Sequence, residues 1–189
     1  YANNIDLDLT TIVLFCSVPI LAGAMSQIPV GRASDRFDRR KVLVFLALVA
    51  MAADGAFVFL RPESGTANIL IGSVLGAAIF AMYPIVVAHA NDHADPGQFI
   101  QTSGGLLMVF GIGSIAGPFI AGLALTLFGP MALFSTLLAA HLFIVLFAML
   151  RMWRREKVGS EDKTSFQNIP FARNTTPETE VLADRENQA

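Results

Sequence analysis

Gly31-Arg32-Ala33-Ser34-Asp35-Arg36-Phe37-Asp38-Arg39-Arg40-Lys41 gathers five of the chain's 13 basic residues into one segment, with a long apolar run on either side. A soluble protein spreads its charge over a whole surface. Hydrocarbon excludes charge, so a membrane protein concentrates it in the connections between spans. The stretch therefore predicts a short, turn-prone cytoplasmic loop joining two transmembrane helices.

Working outward, five apolar runs cover residues 9–30, 42–60, 67–89, 99–127 and 131–150. Each meets the length of about 20 residues that a spanning helix needs. Each is helical by necessity, because hydrocarbon offers no partner to an unpaired backbone group. The predicted fold class is an all-α integral membrane protein with five transmembrane helices across residues 9–155. Residues 1–8 form a short extracytoplasmic remnant and 156–189 a disordered cytoplasmic tail. Pro170, Pro177 and the lack of apolar periodicity mark that tail. Asn174-Thr175-Thr176 matches a glycosylation triplet, which a cytoplasmic location would leave unused.

Composition agrees. Of 189 residues, 54% are hydrophobic and 15% charged, against about 25% charged in an ordinary soluble domain. Mean hydropathy is +0.58. Lipid is thus the expected surrounding partner. A net charge of −2 with no extended basic face argues against nucleic acid. Cys16 is the single cysteine, so neither an internal disulfide nor a cysteine-based zinc site is expected. No cofactor is implied. Residue 1 is Tyr and no basic region precedes the first run, so the reading is a piece of a longer chain without a signal peptide.

Loop charge orients the spans. The segment 31–41 and the cluster Arg151, Arg154, Arg155 and Lys157 are basic, whereas 61–66 holds only Arg61 and Gly129-Pro130 holds none. Both basic segments are therefore placed in the cytoplasm, and the loop 90–98, which has no Lys or Arg, follows its neighbours there. Asp95-Pro96-Gly97-Gln98 reads as a helix start, with a cap acceptor, Pro at the first position and Gln behind it. Pro130 opens the last helix in the same way.

The spacing Gly-x-x-x-Asp-Arg-x-x-Arg-Arg, carried by Gly31, Asp35, Arg36, Arg39 and Arg40, resembles the loop motif of the major facilitator superfamily. Gly31 permits a sharp turn and close helix approach, and Asp35 supplies a charge for a basic partner or a helix N-terminus. Arg36, Arg39 and Arg40 hold the loop at the anionic cytoplasmic face. In that family the loop latches one half of the protein to the other. Ala33 and Asp38 stand where the family usually has Leu and Gly, which fits the looser copy between helices eight and nine. A plain cytoplasmic stop signal is the alternative.

Gly104 and the run Gly113-Ser114-Ile115-Ala116-Gly117-Pro118-Phe119-Ile120-Ala121-Gly122 resemble a Gly-Pro motif of some facilitator exporters. Gly113 and Gly117 share a face suited to close helix approach, and Pro118 favours a bend. Simple tight packing explains the same pattern. His89-Ala90-Asn91-Asp92-His93, and a tail carrying Phe166-Gln167-Asn168-Ile169-Pro170-Phe171 and Thr175-Thr176-Pro177, are similar to a group of bacterial members. The resemblance implies spans eight to twelve of a twelve-span bacterial inner-membrane transporter of a small solute. Its partner would be the N-terminal half of the same chain. It also implies that the first, third and fourth runs line the cavity.

Candidates for the cavity, by depth, are Cys16 and Ser17, Phe80 and Tyr83, and Phe110 and Ser114. Asp54, an acid within an apolar run, is a candidate proton site or a packing residue. His141 reads as a satisfied packing residue. His89, Asp92 and His93 could be read as metal ligands, but a helix end at His89 would split that face, which favours polar capping and no metal. The leading function is secondary transport of a small solute by alternating access, either coupled to protons or as a uniporter. A membrane-embedded metal enzyme and a non-transporting scaffold or sensor are the alternatives.

Overall fold

The protein is described from a computed structural model covering residues 7–94 and 98–154. Every regular element among them is helical. They are α1 (Leu9–Arg36), α2 (Arg39–Gly55) with a π-helical extension (Ala56–Leu60), α3 (Gly65–Asn91), α4 (Phe99–Phe128) and α5 (Ala132–Arg154). All five are long and apolar enough to cross a membrane. A helix rises 1.5 Å per residue, so about 20 residues span a hydrocarbon core about 30 Å thick.

The segment 31–41 departs from the expected loop. α1 runs on through Gly31 to Arg36, and only Phe37 and Asp38 separate it from α2. Arginine is a good helix former, and a charged head at a helix end reaches water along its own stem. Gly31 is buried within the helix and makes no turn. Asp38 caps α2 by accepting a hydrogen bond from Arg40 N at 3.0 Å, and Asp8 caps α1 by accepting from Thr11 N at 3.1 Å. At the other end, Arg61 adopts φ +45° and stops the π-helical extension. Asn68, fully buried, then ties the connection down. Its amide donates to the carbonyls of Pro62 at 2.7 Å and Ser64 at 2.9 Å.

Pro130 lies in the turn before α5, which begins at Ala132; Gly129, at φ +83°, ends α4. α4 starts at Phe99 with Gln98 as its cap position and no side-chain cap bond. Residues 95–97 of the expected capping sequence, the stretch 1–6, the glycosylation triplet and the tail fall outside the described residues.

Packing is tightest between α1 and α3. A Cβ added at Gly76 would sit 2.3 Å from the Pro19 carbonyl oxygen, and one at Gly72 3.2 Å from the Phe15 ring. Gly72 and Gly76, four apart, thus form the close-approach face that lets the two backbones meet. Ser26 fixes the register by donating to the Ala77 carbonyl across the interface at 2.7 Å. Behind this pair, Ala50, Ala53 and Phe57 of the second span, Leu75 and Ala78 of α3, and Phe134 of α5 form the main apolar cluster. α4 stands apart, with no buried residue along its length.

Candidate functional site

The motif residues converge on a buried guanidinium. Arg39 opens α2 and is 2% exposed. Its Nε lies 2.9 Å from an Asp92 carboxylate oxygen, and its Nη2 lies 3.4 Å from Asp35. Asp92 immediately follows α3, and its side chain is as buried as that of Arg39, whereas the Asp35 side chain is 36% exposed. A charge in such a place persists only when paired. The geometry therefore binds three points together: the end of α1, the start of α2 and the end of α3. Arg39 was expected to face anionic lipid; instead it turns inward, and this is a correction to the sequence reading.

A second, more exposed contact runs beside the first. Arg40 Nη2 lies 3.5 Å from His93 Nε2, and His93 Nδ1 donates to the His89 carbonyl at 2.8 Å. The two imidazoles meet edge to face with centroids 4.6 Å apart. With Nδ1 turned to that carbonyl, Nε2 is the ring atom that faces Arg40. Asp92 is committed to Arg39, whereas His89 and His93 meet each other. Among the described residues no group of three His, Cys, Asp or Glu side chains is placed to hold a metal. Arg36 remains exposed at the end of α1.

Of the cavity candidates, the structure brings together Tyr83 and Phe110, whose rings lie 4.8 Å apart across α3 and α4. Ser114 sits one turn further along α4 and donates to the Phe110 carbonyl at 2.9 Å. Phe80 points elsewhere, against α1, where it would contact a Cβ added at Gly23. Ser17 is on an exposed face of α1, as is Cys16. Gly104, Gly113, Gly117 and Gly122 on α4 have nothing within 4 Å of an added Cβ. Pro118 lies within the same helix.

Asp54 is fully buried and its Oδ2 lies 2.6 Å from Nδ1 of His141 on α5. Sequence reasoning weighed each residue singly and did not join them. The available signal was that each is a lone titratable group in an apolar run, where burial without a partner is costly.

Five apolar spans, with charge gathered at helix ends and tied there, define a multi-pass α-helical membrane protein. Residues 1–184 match the family described as Major Facilitator Superfamily, and the chain belongs to that family. It is 29% identical over 151 residues to an uncharacterized MFS-type transporter YcaD of Shigella flexneri serotype 5b (strain 8401), covering 80% of this chain and 38% of that protein. YcaD of Escherichia coli (strain K12 / DH10B) matches to the same extent. The chain thus spans about 38% of the length of these relatives. No solved structure matches it.

Proposed function

We propose that the chain is the part of a secondary transporter that carries spans eight to twelve, and that it moves a small solute by alternating access. The observation that carries this reading is the Arg39 tie to Asp35 and Asp92. It is a set of charges at the water boundary, where separation lets each group regain hydration, so the tie is suited to being made and released. In this reading the α1–α2 joint and the C-terminus lie in the cytoplasm of a bacterial cell with the spans in its inner membrane. The glycine face of α4 meets helices of the N-terminal half. α1, α3 and α4 border the solute path, with Tyr83 and Phe110 beside it.

The test is uptake of a solute panel into proteoliposomes holding the full-length protein, with and without a pH gradient. Transport that falls in Arg39→Gln and returns in part in Arg39→Lys supports the reading. Movement of no solute under any gradient overturns it.

A further inference from the structure

Asp54 and His141 occupy the interior of the α2–α5 contact, 87 residues apart in the chain and 0% and 6% exposed. Alanines 50 and 53 and Phe57 flank the acid on its own span, and Leu75 and Ala78 approach from α3. Phe57 and Phe134 stack at 4.0 Å, and Phe15 of α1 meets Phe57 edge-on at 6.1 Å. By position along α2 and α5, this stack lies between the pair and the Leu60 end of the span. Just beyond Asp54 the helix loosens into its π-helical extension. Such insertions often mark functional positions.

A carboxylate alone in these surroundings is strongly disfavoured, and so is an imidazolium alone. With one proton between them the site is net neutral, whether the proton rests on oxygen or nitrogen. Removing it leaves a buried anion, and adding another leaves a buried cation, so the two groups hold protons as a unit. The other titratable groups on the packed elements lie elsewhere. Arg39, Arg40 and Lys41 are about 20 Å away along α2. Tyr83 and His89 lie further along α3, Arg151 is at the far end of α5, and on α1 Cys16 is exposed, as are Arg32, Asp35 and Arg36 near its end. α4 carries none. Oδ1 of Asp54 has no protein hydrogen-bond partner.

We propose that Asp54 and His141 bind one resident proton, shared between Oδ2 and Nδ1, which fastens α5 to α2 and is not passed across the membrane. A transported proton must meet water on each side in turn. This one is sealed by the aromatic stack on one side and by the packed α2–α3–α5 contact around it. α5 has only four buried residues, Ala132, Phe134, His141 and Val145, with which to hold its place among the described residues.

The inference goes beyond the transport reading, and its test is separable from it. In the full-length protein, Asp54→Leu or His141→Leu alone should lower the thermal midpoint in detergent by about 5 °C or more, because each leaves a buried partner unpaired. The double variant Asp54→Leu/His141→Leu should recover most of that loss, since an apolar pair needs no proton. It should also keep wild-type uptake driven by a pH gradient. In the wild-type protein, 15N-labelled histidine should show one low-field Nδ1–H signal that disappears in Asp54→Leu, a readout that does not depend on any variant's transport. No recovery in the double variant, absence of the low-field signal, or a folded double variant that exchanges solute but has lost gradient-driven uptake would each overturn the proposal. If the wild-type protein moves no solute, the transport reading fails while the thermal cycle and the spectrum still decide this one.

Discussion

Arg39 and Asp92 approach to 2.9 Å although 53 residues separate them, and both side chains are almost wholly buried. The first residue of α2 is thus fixed to the residue that follows α3. Removing one member strands the other charge in a place that water does not reach. Arg39→Gln should therefore cost about 3–5 kcal/mol of stability. Asp35→Asn should cost less than about 1 kcal/mol, because its partly exposed carboxylate is shielded by solvent. Thermal unfolding of the purified variants in one detergent checks the order. Equal losses would mean that both acids share the guanidinium evenly.

The α1–α3 crossing makes a contrast among glycines. Gly76→Ala drives a methyl against the Pro19 carbonyl, 2.3 Å away, and neither backbone yields without parting the helices. The expected loss is about 3 kcal/mol, at the upper end for overpacking. Gly113→Ala meets nothing within 4 Å. It should leave the five-helix membrane piece unchanged and reduce uptake by the full-length transporter, where α4 is proposed to meet further helices. Parallel thermal and uptake measurements on both variants separate the two cases.

Asn68 supports the connection between the second and third spans. Asn68→Leu removes donors from the Pro62 and Ser64 carbonyls, at 2.7 and 2.9 Å. A loss of about 1–3 kcal/mol is expected. Faster amide exchange confined to residues near 61–68 would locate the damage; a loss spread over all spans would contradict a local role.

Asp8 gives a pH signature outside the membrane span. Hydrogen bonds from the Thr11 hydroxyl and then the Thr11 backbone hold its carboxyl below the ordinary value of 3.8. A folded-state value below the unfolded one means stabilisation that is full above 3.8 and lost as pH falls through the lower, folded value. Amide exchange at Thr11 should accelerate in that acid range. Asp8→Ala should show the faster exchange already at neutral pH.

The spans were legible because a long apolar run has only one way to satisfy its backbone in lipid. Their order and number follow from 9–30, 42–60, 67–89, 99–127 and 131–150 alone. The end of α1 was not. Charge in the segment 31–41 marks the water boundary, but helix propensity carries the backbone past it to Arg36. The close-approach face was sought at Gly113 and Gly117, where Pro118 drew notice. Gly72 and Gly76 have the same spacing, and what distinguishes them is the facing Pro19, a relation across 57 positions that no local pattern contains. Asp35 was read as seeking a cation, and it has one in Arg39. Asp92 as that cation's deeper partner, and His141 as the partner of Asp54, required the folded chain.

While the Arg39 tie is closed, the joint between α1 and α2, only two residues long, has no slack. A change of tilt in the first span must therefore reach the second undiminished, as through an elbow that has been splinted. Any rocking of this bundle then has to be taken up beyond the second span, where the connection 61–64 is four residues long. The splint and the hinge would then sit at opposite ends of the second span.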